Sequence, residues 1–479
     1  MNIEQKIKQL EKAGSSLEPD AEKRSEDTNK VLDHCYRYLD KLSDENAFHG
    51  DDTPSKKLLE EPIGESFMNM DDILSVYEES VEGPGINAAS GGHLGYIPGG
   101  GVYHSALGDY LAAVTNKYAG VYFGAPGAVK MENMLIDWVA DLIGYEEGFA
   151  GNLTSGGSIA NLIGIVTARE AYDLKGKDLE NTVIYASPQM HHCLNKAIRI
   201  AGLKECKFRN IELDQRHRID TENLENLIEQ DKKKGLNPWL VIASAGTTDV
   251  GTVDPMDKIG KVTEKHKLWF HLDAAYGGFF KLCDEAKDIL KGMERSDSIV
   301  VDPHKGLFLA YGIGAVIVKN KEYLHKAHSY TADYMQDALN NDVELSPADL
   351  SPELTKHFRA LRMWLPLKSL GIKPFKACVE EKLWLARYFY KEINKIEGYV
   401  ADTEPDLSVV IFHYKPNDPN SEELNKKIVK KIHEDGRIFI SSTRIGGKYS
   451  LRVAILSFRT HKREVDILLG MLKDYAKEV

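Results

Sequence analysis

The sequence predicts an α/β protein: a mostly parallel, doubly wound sheet in a large domain, followed by a smaller C-terminal α+β domain. Three observations carry that prediction. Between about residues 86 and 370, short apolar runs alternate with stretches long enough for crossover helices, the pattern of a parallel sheet covered on both faces. After about residue 371 the pattern changes to long helical stretches and one pair of strand-like runs around Gly446-Gly447. The 479 residues also exceed one ordinary core, so more than one domain is expected.

Taken in order, residues 1–85 are charged and helical in tendency, and Gly and Pro gather at "EGPGINAASGGHLGYIPGGG" (82–101). Next comes a helix on which Met131, Met134, Leu135, Trp138, Val139, Leu142 and Ile143 share one face at 3.6-residue spacing, so these side chains are expected in the core. "TSGGSIANLIGIVTARE" (154–170) leads from Gly and Ser into an amphipathic helix. The strand-like runs are "TVIYAS" (182–187), "KFRNIEL" (207–213), "WLVIASA" (239–245), "LWFHLDAA" (268–275) and "SIVVD" (298–302), with crossover helices expected at 220–234 and 254–266. The division expected is 1–85 as a helical segment, 86–370 as the large domain and 371–479 as the small one.

Composition narrows the function class. With 42% hydrophobic and 28% charged residues the chain reads as globular, and its net charge of -12 argues against nucleic acid as a partner. No apolar run approaches the ~18 residues of a membrane span. The start, "MNIEQKIKQLEKAG", has no apolar signal-peptide core, and the five cysteines contain no CxxC pair, so a reducing cytoplasm is the expected location.

In an open parallel sheet, ligands sit beyond the carboxyl ends of the strands. That rule selects His191, Thr247 and Thr248, Asp273, and the group Asp302 to Lys305 in "VVDPHKGLF". The loop at Gly156-Gly157 adds an anion site: glycine lets the backbone come close, Ser158 is placed to cap the helix, and the free N–H groups attract a phosphate. An anion site, a strand-end carboxylate and a strand-end lysine together fit pyridoxal 5′-phosphate. Its aldehyde takes Lys305 as a Schiff base, its ring nitrogen takes Asp273, and Ala274 and Ala275 leave room for a flat ring, with His191 stacked on the opposite face.

Each residue alone has a plainer reading, as a turn, a cap or a satisfied histidine. His191-His192-Cys193 resembles a metal cluster, but adjacent residues do not converge on one ion and no further ligand lies at the right spacing, so no metal is expected. A nucleotide-binding protein would show GxxxxGK[ST] or GxGxxG after its first strand, and neither is present. It is the joint occurrence along one alternating pattern that favours the cofactor.

The motifs "TSGGSIANL", "SPQMHHCLNKA", "SAGTTDVGTVDP", "HLDAAYGG" and "VVDPHKGLF" resemble those of the group II pyridoxal-phosphate-dependent amino acid decarboxylases, which include the aromatic-L-amino-acid, tyrosine and glutamate decarboxylases. The resemblance runs from about residue 60 to "LRVAILSFRTHKREVDILL". It implies the aspartate aminotransferase-like fold (fold type I), a homodimer with active sites at the subunit interface, and N-terminal helices wrapped around the partner. It further implies that Lys305 is the Schiff-base lysine, Asp273 the ring-nitrogen partner and His191 the stacking residue, while Gly157, Ser158, Thr248, Ala275, Asp302 and His304 contact the cofactor.

Two departures stand out. Gly306 follows the lysine where many relatives have an aromatic residue, so packing there is expected to be lost or supplied differently. The segment 329–354 occupies the place of the family's mobile catalytic loop, yet no tyrosine aligns with the proton donor of the animal aromatic enzymes; Tyr330 and Tyr334 lie early and Pro347 stands near the position. For the substrate, Tyr96, Pro98 and Gly99 in "HLGYIPGGG" are the expected contacts and suit an aromatic side chain. Glutamate, cysteine sulfinate and diaminobutyrate remain alternatives, as does a lyase or aldehyde synthase on the same fold.

Overall fold

The computed structural model describes residues 1–60, 62–329 and 344–478. Strands β1 (Phe48–His49) and β2 (Gly85–Ile86) form a short antiparallel ladder near the N-terminal helices Ile3–Gly14, Ala21–Lys41 and Met70–Tyr77. The main sheet is built from β3 (Ala150–Thr154), β4 (Thr182–Ala186), β5 (Lys207–Asn210), β6 (Asn237–Ser244), β7 (Trp269–Asp273), β8 (Ser298–Val301) and β9 (Gly314–Val318). Its strand order is β3-β9-β8-β7-β6-β4-β5, and β9 alone runs antiparallel to both of its neighbours. The mostly parallel, doubly wound sheet expected from the sequence is therefore present, with β3 and β9 added at one end.

Burial on both faces explains the unbroken apolar runs. Along β6, Val241 and Ala243 join one helix-covered core while Leu240 and Ile242 join the other, and β4 divides Tyr185 from Ile184 in the same way. Helices Thr221–Lys233 and Met256–His266 fill the two expected crossovers. The helix that opens at Pro126, where a missing N–H costs nothing, ends at Ile143. Its buried stripe is Val129, Glu132, Leu135, Ile136, Val139, Ala140 and Ile143. Met134 departs from expectation and is 42% exposed, because it lies one step of about 100° off the centre of that stripe.

The second sheet holds β10 (Tyr399–Val400), β11 (Val409–Tyr414), β12 (Ser441–Ile445) and β13 (Lys448–Ala454) in the order β10-β11-β13-β12, all antiparallel. The turn between β12 and β13 is Gly446-Gly447, both at positive φ (56° and 81°), as a tight two-residue hairpin requires. Among the described residues no helix is long and apolar enough to cross a membrane, and all five cysteines are free thiols.

Candidate active site

The carboxyl ends of β3, β4, β6, β7 and β8 open on one rim, and a cavity of about 260 Å³ lies there. It is lined by Gly157, Ser158, His191, Thr248, Asp273, Ala275, Asp302, His304 and Lys305, so all nine expected cofactor contacts come together.

Each side chain is positioned by its strand end. After β3 the chain turns through Gly156, whose φ of 153° suits only glycine, into the helix Gly157–Ala171. A Cβ at Gly157 would lie 2.8 Å from the Asp302 carboxylate, so only glycine lets this backbone line the cavity. Ser158 does not cap the helix as expected: Gly156 occupies the cap position and no side chain takes the first-turn N–H groups, which leaves them for an anion. His191 precedes the helix His192–Ile200, and its Nδ1 accepts the Cys193 N–H at 3.4 Å. Burial lowers the His191 pKa and pushes the Cys193 thiol up to about 12.

At the end of β7, Asp273 is 8% exposed, and its Oδ1 accepts the Ala275 N–H at 3.1 Å while its Oδ2 accepts Asn161 Nδ2 at 3.4 Å. After β8 the chain makes one helical turn, Pro303–Gly306, which brings Lys305 Nζ to 3.0 Å from Asp302 Oδ2. Burial alone would lower the Lys305 pKa, but the charges of Asp302 and Asp273 and the hydrogen bond to Asp302 outweigh it and raise the value. His304 donates from Nδ1 to the Ile313 carbonyl. Phe308, three residues beyond the lysine, sits at φ 59°, a strained conformation for a bulky residue that is held by the Val102 N–H on its carbonyl at 2.8 Å.

The oddity at Gly306 has a physical cause. A Cβ there would lie 2.7 Å from Cβ of Phe279, a fully buried ring stacked on Trp138 at 6.4 Å. Phe279 thus supplies, from the loop after β7, an aromatic ring beside the residue that follows the lysine.

The three expected substrate contacts do not line this cavity. Pro98 and Gly99 are buried behind it, where a Cβ on Gly99 would lie 2.0 Å from the His304 carbonyl. Tyr96 is 59% exposed at the surface. Tyr330 and Tyr334 lie outside the described residues. Pro347 is buried and its carbonyl accepts Asn152 Nδ2 at 3.0 Å.

Sequence reasoning missed two groups. Asn161 lines the cavity from within the helix Gly157–Ala171, and Cys193, weighed above only as a metal ligand, lines it beside His191. Arg452 reaches from β13 to donate to the Thr248 carbonyl at 2.6 Å and the Tyr96 carbonyl at 2.9 Å, tying the second sheet to the rim; nothing local in "SLRVA" signals that reach.

The residues fit pyridoxal 5′-phosphate. An uncapped helix start framed by glycine suits the phosphate, a carboxylate with a donor on each oxygen suits the ring nitrogen, and a lysine amine opens on the space between them.

Comparison with known proteins agrees. The family described as "Pyridoxal-dependent decarboxylase conserved domain" matches residues 55–415. An aromatic-L-amino-acid decarboxylase of Bacillus atrophaeus is 32% identical over 391 residues, 81% of each chain. An acidic amino acid decarboxylase of Bos taurus is 28% identical over 396 residues, 79% of this chain and 76% of its own. The solved structure of Oryza sativa TDC with PLP and tryptamine superposes with a TM-score of 0.90 at 21% identity, covering 96% of this chain and 99% of that one, so the fold is the aspartate aminotransferase-like fold type I. The chain belongs to the pyridoxal-dependent decarboxylase family, the carboxy-lyases that remove CO2 from amino acids with pyridoxal 5′-phosphate.

Proposed function

We propose that this enzyme decarboxylates an L-amino acid with an aromatic side chain to the amine and CO2, with Lys305 holding the cofactor as a Schiff base. The observation that carries this reading is the single cavity in which Lys305, Asp273, His191 and the glycine-led helix face one another. The bound cofactor supplies an electron sink for the charge left on the α carbon when CO2 departs. Asp273 would hold a proton at the ring nitrogen, the Gly157 and Ser158 backbone would hold the phosphate, and Thr248, Ala275, His304 and His191, which line the same cavity, would contact the ring. Asp302, 3.0 Å from Lys305 Nζ, would hold a proton there and position the amine that takes the cofactor.

The aromatic preference is supported by the cavity's charge. Among the described residues that line it, Lys305 is the one permanent cation, and burial lowers the pKa of both His191 and His304. A glutamate or cysteine sulfinate side chain would find no dedicated cationic partner among these lining residues. The many aromatic and tyrosine decarboxylases among the relatives support the same side.

We also propose a homodimer in the cytoplasm, with residues 1–85 embracing the partner. The helix Ile3–Gly14 buries no residue of its own chain, and Ile3, Ile7 and Leu10 stand exposed along one face. The five free thiols suit a reducing compartment.

The deciding experiment is CO2 release from purified protein loaded with pyridoxal 5′-phosphate, run with phenylalanine, tyrosine, tryptophan, glutamate, cysteine sulfinate and diaminobutyrate. Amine and CO2 from an aromatic substrate, at the highest kcat/KM of the set, is expected. A higher value for an acidic or dibasic substrate overturns the aromatic assignment, and aldehyde with peroxide overturns simple decarboxylation.

A further inference from the structure

We infer that Asn161 and His271 are positioning residues, a buried one-way hydrogen-bond relay that holds the Asp273 carboxylate aimed at the cofactor's ring nitrogen. The inference rests on the proposed role of Asp273.

The relay follows from strand geometry. Trp269, His271 and Asp273 alternate along β7, so all three project toward the same face, the one covered by the helix Gly157–Ala171. His271 is paired across the ladder with Ser298 on β8. From one end to the other, Trp269 Nε1 meets Ser298 Oγ at 2.8 Å, Ser298 Oγ meets His271 Nδ1 at 2.7 Å, His271 Nε2 meets Asn161 Oδ1 at 2.8 Å, and Asn161 Nδ2 meets Asp273 Oδ2 at 3.4 Å. Asn161, His271 and Ser298 are fully buried. Space for the imidazole is reserved by Gly164, one turn along the helix from Asn161, where a Cβ would lie 2.7 Å from His271 Cε1.

The direction of every proton in this chain is fixed by its two ends. The Trp269 indole is a donor only, so Ser298 Oγ accepts from it and is left with one hydrogen to give. At the other end, an Asn161 amide turned the opposite way would set its oxygen against the Asp273 carboxylate, so the amide must present its NH2 there. Its oxygen then faces His271 Nε2, which must carry the hydrogen, and His271 Nδ1 accepts from Ser298. The second amide hydrogen of Asn161 goes to Cys193 Sγ at 3.4 Å, so each polar atom of the relay has a partner. Burial pushes the His271 pKa down to about 4, which agrees with a neutral ring that donates on one side and accepts on the other. The Ala275 N–H on Oδ1 and the Asn161 amide on Oδ2 together fix the orientation of the Asp273 carboxylate.

The test compares two ligands on the full-length protein: pyridoxal 5′-phosphate and its carbocyclic analogue with C–H in place of the ring nitrogen. Dissociation constants are read from fluorescence, and folding from the melting temperature of the cofactor-free protein. Asn161→Asp, nearly the same shape, sets a second carboxylate against Asp273 and forces the pair to share a proton. It is expected to weaken the natural cofactor about tenfold and to leave the analogue within about twofold. His271→Gln, which loses the fixed bridge, is expected to shift the same ratio less. If Asn161→Asp weakens both ligands equally, or neither, while Asp273→Asn still lowers the ratio, the relay is wrong. If Asp273→Asn itself leaves the ratio unchanged, the assignment of Asp273 is wrong. Should Asn161→Asp fail to fold, nitrogen-15 NMR of histidine-labelled wild-type protein decides: a neutral His271 protonated at Nε2 supports the relay, and one protonated at Nδ1 overturns it.

Discussion

Lys356 and Lys305 each reach a carboxylate away from bulk solvent, and of these two only Lys305 has donors to spare. Lys356 Nζ is fully enclosed and spends its three hydrogens on Glu132 Oε1 (2.7 Å), Asn152 Oδ1 (3.1 Å) and the Leu153 carbonyl (2.9 Å). Lys305 has one such partner, Asp302 at 3.0 Å, and its side chain is 23% exposed to the cavity. The electrostatics diverge in step: burial dominates at Lys356 and lowers its pKa despite Glu132, whereas at Lys305 the two aspartates override burial. Burial and a carboxylate neighbour are common to both, so neither marks a reactive lysine. Unspent hydrogen-bonding capacity facing open space is what suits Lys305 to the proposed Schiff base.

The largest effect that would break this contrast is on chemistry. Lys305→Ala is expected to bring CO2 release below detection and to abolish covalent capture of the cofactor by borohydride, whereas Lys356→Met should leave capture intact. Mapping the reduced adduct to any other lysine would end the assignment. The next effect is on stability. Lys356→Met strands the Glu132 charge, which is 2% exposed, and is expected to cost ~3–5 kcal/mol in urea unfolding. Adding Glu132→Gln removes the charge but keeps an acceptor for the Leu153 N–H at 2.9 Å, so the double variant should recover roughly half of the loss. Equal loss in both variants would mean that shape rather than charge governs this site.

The same contrast explains what the sequence could disclose. Lys305, Asp273 and His191 were legible because a parallel sheet delivers its chemistry at strand ends, and those residues follow apolar runs directly. Lys356 carries no such mark, since its partners lie 204 and 224 positions away in the chain. Strand β3 was missed for a related reason: its Gly151 and Asn152 break the apolar pattern, although Asn152 is fully buried and satisfied by Lys356 and Pro347. Tyr96, Pro98 and Gly99 were named from their motif, and a motif does not say on which side of the His304 backbone its chain will run. Ser158 looked like a cap because serine at a helix start usually is one, and here the glycine before it takes that position.

Gly306 tests the cavity side of the contrast at a smaller scale. Its neighbour is the Cβ of Phe279, which cannot swing aside as a side-chain tip would, so Gly306→Ala should cost ~1–3 kcal/mol and shift the visible band of the bound cofactor. A stable variant with an unchanged spectrum would show that the Phe279 loop yields freely and does not support the lysine.

The smallest effect concerns groups that burial keeps uncharged. His93, His271 and His328 are each pushed down by burial to about 4, from an ordinary value of 6.5. Between those limits the unfolded chain binds protons that the folded one refuses, so their contribution is complete above 6.5 and is lost as pH falls toward 4. Asp254 and Asp297, pushed up by burial to about 6, act in the opposite sense: from 6 down to 3.8 the folded form takes protons that the unfolded chain does not. Within this set of five, three groups against two leave a net loss of roughly one group's worth, ~1.4 kcal/mol per pH unit, between about pH 6 and 4. His328→Gln removes one of the three and should flatten that limb in urea unfolding followed across pH. A limb as steep as before would place the acid sensitivity elsewhere.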